Sequence, residues 1–153
     1  MSSVATSAAL STAAVGVLVP VEVHFDELDA MGLLHNSRYQ VLAERAWTAF
    51  WYARGFGGSN ALENDAFNVV KAFTITYDAP LSAPGTYAVN LWIDRLGTTS
   101  ATAGYRVCSV DGGTTYAHGT RTAVRLDQVT LLPTPWSDRA RDVARTITAP
   151  RKD

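Results

Sequence analysis

VEVHFDELDAMGLLHNSRYQVLAERAWTAFWYARG, residues Val21 to Gly55, carries three patterns in succession. Val17 to Phe25 alternates loosely and is rich in valine, which reads as a strand with Val19, Val21, Val23 and Phe25 on one face. Asp26 to Leu34 breaks that alternation with acids and Gly32, the chemistry of a tight loop. Asn36 then reads as a helix N-cap, its side-chain oxygen accepting from a first-turn amide. Behind it Tyr39, Leu42, Ala43, Ala46, Trp47, Phe50, Trp51 and Ala53 recur at helical spacing, and Gln40, Glu44 and Thr48 form a narrow polar row. Arg54 suits the negative end of the helix dipole, and Gly55 is a natural residue to follow the last turn. So wide an apolar arc predicts a long, buried helix covered on most sides.

Only the later part of the chain can cover it. Ala66 to Tyr77, Thr86 to Leu96, Thr98 to Val110 and Thr114 to Leu126 read as strands, separated by Ala79–Gly85, a turn at Gly97, and Asp111-Gly112-Gly113. The last is a hairpin signal, because two glycines supply the positive φ of primed turns. Short links of this kind join antiparallel neighbours. The expected class is α+β: an antiparallel sheet of about five strands wrapped around one long central helix. One sheet leaves its edge strands and the flanks of the helix open, so pairing with a second copy is expected, as a homodimer or homotetramer.

The chain reads as one domain over residues 17–135, preceded by a flexible tail, residues 1–16, and followed by a short helix and tail, residues 136–153. Met1 to Ala14 is rich in Ser, Thr and Ala and has little to bury. It lacks the positive start of a secretory signal, and no apolar run is long enough to span a bilayer. Near the other end, Ser137 can cap a short helix whose Arg and Asp content predicts a solvated surface element, and Thr148–Asp153 reads as a frayed end.

At 153 residues the chain can bury a real core, and 47% hydrophobic with 18% charged residues is ordinary for a soluble protein. A formal charge of −1 gives no reason to expect nucleic acid or an anionic membrane as partner. The single cysteine, Cys108, has no internal disulfide partner, fits a reducing cytoplasm, and in a strand pattern reads as a small core residue. His24, His35 and His118 are too scattered for metal-ligand spacing. No Gly-x-Ser-x-Gly elbow and no Gly-x-Gly-x-x-Gly loop is present, which argues against a serine hydrolase and a dinucleotide site. What stands out is Asp29, a carboxylate just ahead of a helix N-terminus. There unpaired N–H groups and the positive end of the dipole stabilise a negative charge, and the same dipole favours an ionised Asp29.

With Asp29, Gly32, Asn36 and the helix in place, the chain resembles the hotdog-fold acyl-CoA thioesterases of the 4-hydroxybenzoyl-CoA thioesterase type. The matching motif is an acid-x-Asp-x-x-Gly box, Glu27-Leu28-Asp29-Ala30-Met31-Gly32, then Asn36, Tyr39 and Glu44-Arg45-Ala46. Later echoes are Tyr77 to Pro80, the Gly97 turn, Asp111-Gly112-Gly113 followed by Ala117, and Leu126-Asp127 before the prolines. The likeness runs from about Val19 to Pro135. Two departures stand out: Glu27 replaces the usual first Asp, and Leu33-Leu34-His35-Asn36 replaces the family's His-Val-Asn-Asn. The second touches the pocket wall, so it bears on the acyl group more than on the reaction.

The resemblance implies hydrolysis of a thioester on coenzyme A or an acyl carrier protein. Asp29 falls on the catalytic carboxylate and the Asn36 backbone on the carbonyl-polarising amide. Gly32, His35, Tyr39 and Glu44 fall around the substrate, and coenzyme A enters only as part of it, with no separate cofactor and no metal. A preorganised donor of this kind contributes about 3–4 kcal/mol to lowering the barrier, and an ionised carboxylate either attacks the thioester or activates water. Glu44, on the polar row of a buried helix, must also find a partner, and Glu27 reads as a solvated or structural neighbour. Lys71, Arg106, Arg121 and Arg125 are the candidates for phosphate contacts. Two rival readings share the fold: a non-catalytic acyl-thioester binding module, and a hydratase using Asp29 with His35. The hydratases resemble Gly-Asp-x-Asn-Pro-Leu-His, wording this chain lacks.

Overall fold

The valine alternation of the first strand is realised, but in a shorter element than the pattern suggests. The computed structural model describes residues 15–57 and 65–150, and in it β1 runs over Val17–Val23. Val19, Val21 and Val23 are buried in the main core, whereas Phe25 is 79% exposed, because the chain leaves the strand for a 3-10 turn at Phe25–Glu27. Pro20, which has no N–H to donate, is tolerated because β1 is an edge strand.

The other strands are β2 (Asn68–Phe73), β3 (Thr76–Tyr77), β4 (Gly85–Leu96), β5 (Ser100–Cys108) and β6 (Thr115–Arg125). They form one antiparallel sheet in the order β1-β4-β5-β6-β2, with β3 paired to β6. Among the described residues there are thus six strands rather than about five, since the single strand expected over Ala66 to Tyr77 is split. The split has a local cause. Thr74 turns its backbone and hydroxyl onto Thr120, with Thr74 N–H donating to Thr120 O at 2.9 Å and Thr120 N–H donating to Thr74 Oγ1 at 2.9 Å. The Thr74 carbonyl also accepts from Tyr105 Oη at 2.7 Å. That carbonyl lies where a side chain on residue 119 would be, so a Cβ on Gly119 would overlap Thr74 O. Gly119→Ala is therefore expected to displace the β2–β3 edge and cost about 1–3 kcal/mol. A thermal melt measures it, and an unchanged Tm would show that the edge yields freely.

The central helix, α1, spans Arg38–Tyr52, 15 residues and about 22 Å. It is shorter than the sequence pattern suggests and starts two residues later than Asn36. It lays Tyr39, Leu42, Ala43, Ala46 and Phe50 against β1, β4, β5 and β6 through Val21, Val23, Val89, Tyr105, Val107 and Ala117. Each fully buried large side chain in this layer contributes about 1.5–3 kcal/mol. Gln40, Arg45, Thr48, Ala49 and Tyr52 are exposed in the single chain, so α1 is covered on one side and not all round.

A second helix, α2 (Asp138–Arg145), is capped by Ser137, whose Oγ accepts from Ala140 N–H at 3.1 Å. It is more than a solvated element, because Ala140, Ala144 and Ile147 are buried. Nor is the end beyond it wholly frayed. Ile93 N–H donates to Ile147 O at 2.9 Å and Ala149 N–H to Ile93 O at 2.8 Å, extending the edge of β4 where β1 stops. At the other end Val15 is also tied down, its carbonyl accepting from Asn90 Nδ2 at 2.8 Å. The tail expected over Met1 to Ala14, most of the loop after Gly57, and Arg151 to Asp153 lie outside the described residues. Among those described, no helix is long and apolar enough to cross a membrane. Cys108 is fully buried beside Leu18 and Ala88, and burial pushes its thiol pKa up.

Candidate functional site

The acidic loop folds as a closed turn on its own side chain. Met31 N–H and Leu33 N–H donate to Asp29 Oδ1 at 2.8 and 3.2 Å, and Gly32 N–H donates to Asp29 O at 2.9 Å. Gly32 has φ +75, a conformation that costs glycine least. Asp29 N–H donates back to Leu33 O at 2.7 Å, and Leu28 bridges Leu34. Asp29 is half-buried, and no described residue donates to its second oxygen, Oδ2.

The turn delivers the chain to the start of α1. Leu34 N–H donates to Leu81 O at 2.8 Å and Tyr77 Oη donates to Asn36 O at 3.1 Å, so both ends of His35–Asn36 are pinned. Asn36 does not cap the helix. The N-cap position belongs to Ser37, and the capping acceptor is His35. Ser37 N–H donates to His35 Nδ1 at 3.1 Å, Ser37 Oγ lies 2.8 Å from the same nitrogen, and Arg38 N–H donates to His35 O at 2.9 Å. The amide one residue before Ser37, Asn36 N–H, has no acceptor among the described residues.

Asp29 and His35 line one open depression of about 470 Å³, together with Asp26, Glu27, Leu28, Ser37 and Arg38. Asn36 is exposed between two of the lining residues. No hydrogen bond joins Asp29 to His35 among the described residues. The floor is fixed by Glu27, which is not a solvated acid. It is 7% exposed, accepts from His24 N–H at 2.9 Å, and pairs through Oε2 with Arg38 Nε at 3.1 Å and Arg45 Nη1 at 3.7 Å. Burial pushes its pKa up, but the His24 amide and the two arginines outweigh that and hold it below the ordinary carboxylate value. Arg38 and Arg45 lie seven residues apart on one side of α1, a spacing that could have marked them as partners of a common acid.

Tyr39 and Glu44 are not brought to this depression. Tyr39 is 3% exposed in the core, edge-on to Tyr77 with centroids 5.2 Å apart, and burial pushes its hydroxyl pKa up. Glu44 is engaged across the sheet face by Arg121 through a two-pronged pair, 2.7 Å to Nε and 3.0 Å to Nη2. Three of the four phosphate candidates are likewise occupied. Arg106 bonds Asn90, Gly112 O and Thr115, Arg121 holds Glu44, and Arg125 bonds Pro135 O and Asp65; Lys71 is exposed on β2. His118 has a partner the sequence did not reveal, Asp78, at 2.7 Å. Among the described residues, no group of three or more His, Cys, Asp or Glu side chains could hold a metal ion.

A six-stranded antiparallel sheet curled on one helix, with an acid-bearing turn feeding the helix N-terminus, defines a hotdog protein. The chain belongs to the thioesterase superfamily: the family's sequence pattern matches residues 31–116, more than half of its length. It is similar to YneP of Bacillus subtilis (strain 168), a proposed acyl-CoA thioesterase, with 28% identity over 92 residues, 60% of this chain and 67% of that protein. A solved proposed acyl-CoA thioesterase from Xanthomonas campestris is 30% identical and superposes with a TM-score of 0.65 over 80% of this chain and 99% of that one. A thioesterase of Thermus thermophilus, solved with coenzyme A and Zn, shares the fold at 23% identity and a TM-score of 0.67, over 85% of this chain and 92% of that one.

Proposed function

We propose that the protein hydrolyses an acyl thioester of coenzyme A, with Asp29 as the catalytic carboxylate and the Asn36 backbone N–H polarising the thioester carbonyl. The observation that carries this reading is the placement of Asp29 in an open depression at the N-terminus of α1, with Oδ1 spent on the turn and Oδ2 uncommitted. The thioester carbonyl oxygen gains negative charge as its carbon is attacked, and an amide without an acceptor beside the positive helix end stabilises that charge. Asp29 either attacks the carbonyl carbon, giving a mixed anhydride that water opens, or takes the proton of an attacking water. By both routes the carbon–sulfur bond breaks, the thiolate leaves and takes up a proton, and water oxygen ends in the acid. Coenzyme A arrives as part of the substrate and no further cofactor takes part.

Superfamily membership supports thioester hydrolysis in general. The names of the Bacillus and Xanthomonas relatives and the coenzyme A held by the Thermus protein support coenzyme A as the carrier. The acid-x-Asp-x-x-Gly box supports the 4-hydroxybenzoyl-CoA thioesterase type. We take the working unit to be at least a homodimer with the site closed between copies, since α1 is bare on one side and Val69, Val70 and Tyr77 are exposed on the β2–β3 edge. Assays of aliphatic and aromatic acyl-CoAs are expected to show free thiol release, and light scattering a mass of two or four chains. Coenzyme A thioester binding without turnover across the panel would sink the catalytic reading in favour of a binding module.

A further inference from the structure

We infer that Tyr77 is a positioning residue for the Asn36 amide, its hydroxyl holding the Asn36–Ser37 peptide in the orientation that keeps a carbonyl oxygen out of the depression at Asp29. The inference rests on the proposed thioester hydrolysis and adds to it a residue 41 positions away in the chain. Tyr77 is not among the residues lining the depression, so it acts through the backbone and not on the substrate.

Residues 35–38 form a turn closed by Arg38 N–H donating to His35 O at 2.9 Å. The middle peptide of such a turn, here Asn36–Ser37, has two orientations related by a flip, which distinguish types I and II. Ser37 lies at φ −69 and ψ −15, near the type I values. A trans peptide points its C=O and N–H in opposite directions. Ser37 N–H points at His35 Nδ1, 3.1 Å away, and on the other side Asn36 O accepts from Tyr77 Oη at 3.1 Å. A flip would exchange the two ends and set a carbonyl oxygen against His35, which lines the depression. Its partial negative charge would oppose the charge that Asn36 N–H stabilises as the thioester is attacked.

Tyr77 is itself firmly seated. In β3 it pairs with Ala117 of β6, and just beyond it Asp78 N–H and Ala79 N–H both donate to Tyr116 O, at 2.8 and 3.1 Å. Its ring meets that of Tyr39 edge-on, with centroids 5.2 Å apart. Four residues on, Leu81 is fully buried and its carbonyl takes Leu34 N–H at 2.8 Å. The same short segment therefore grips the chain ahead of His35, at Leu34, and behind it, at Asn36. Two things oppose the flip: the positive φ that type II would require of Ser37, and the bond from the Tyr77 hydroxyl.

Tyr77→Phe keeps the ring and removes only the hydroxyl. Thiol release is followed from benzoyl-CoA or hexanoyl-CoA, whichever the wild type cleaves faster. The variant is expected to lower kcat roughly fivefold, the population change that one hydrogen bond of ordinary net strength allows, with KM little changed. The deciding readout is the infrared carbonyl band of the same thioester, isotope-labelled at its carbonyl carbon and bound to Asp29→Asn. Hydrogen bonding to the oxygen lowers this frequency, so a band below that of the free thioester is expected, and adding Tyr77→Phe is expected to return it toward the free value. A hydroxyl that only stabilised the fold would lower Tm and leave the band in place. Because Tyr77 also lies on the exposed β2–β3 edge, light scattering accompanies the assay, and an unchanged mass is expected. An unchanged kcat, an unmoved band or a loss of mass in Tyr77→Phe overturns the inference and leaves the thioesterase reading standing. Turnover that survives in Asp29→Asn, or a bound band equal to the free one, overturns that reading and the inference with it.

Discussion

Asp29→Asn is expected to cut turnover of an acyl-CoA by about 10²–10⁴-fold while the protein keeps its fold. The substitution is unusually clean because of how the turn is built. Met31 N–H and Leu33 N–H both donate to Oδ1, and an asparagine carbonyl oxygen accepts the same two bonds in nearly the same place. Only the second oxygen changes, from an anion that can attack carbon or take a proton to an amide that does neither. Stability should therefore move by no more than about 0.5 kcal/mol, the usual range for a surface change that spares local structure. Asp29→Ala is a poorer test, since it deletes the turn acceptor together with the charge. Thiol release followed alongside a thermal melt separates the two effects. Turnover surviving in Asp29→Asn at more than about a tenth of the wild-type rate would remove the carboxylate from the mechanism.

Glu27→Ala is expected to lower stability by about 3 kcal/mol, within the range for deleting one side of a buried pair, and so to drop Tm by about 6–12 °C in a chain of this size. Arg38 and Arg45 are partly solvated and can turn outward, which keeps the loss at the low end of that range, but the His24 amide loses its acceptor outright. The pH dependence carries the signature of the carboxylate. The folded-state pKa of Glu27 is depressed, so its contribution is fully present above the ordinary carboxylate value and is lost as pH falls through the lower folded value. The gap in Tm between wild type and Glu27→Ala should therefore be widest near neutrality and close on acidification. A gap that stays constant as the pH falls well below the ordinary carboxylate value would mean that packing, not charge, made the difference.

Much of this was legible in the residues because it is governed by near neighbours. Alternation marked β1, helical spacing marked the buried face of α1, and Asp-Gly-Gly marked the β5–β6 hairpin. The acid-x-Asp-x-x-Gly wording marked the turn, since an Asp that accepts from amides two and four residues on needs nothing remote to form. Legibility failed where partners lie far apart in the chain. Asn36 is a good cap by composition, yet Tyr77 takes its carbonyl from 41 residues away, and His35 supplies the capping acceptor instead. The polar row required a partner for Glu44 without naming it: Arg121, 77 residues on, holds both its oxygens.

The sequence alone determined that one apolar helix would pair with an antiparallel sheet and that an acid-bearing turn would precede that helix. Periodicity and turn chemistry are local, and they survive whatever the rest of the chain does. Tertiary structure alone decided that the sheet breaks at Thr74, that Glu27 is a buried anchor and not a solvated acid, and that Tyr77 grips the chain at Asn36. Each of these outcomes rests on where a carbonyl, a guanidinium or a hydroxyl finds room beside residues distant in the chain, and residue order does not encode that distance.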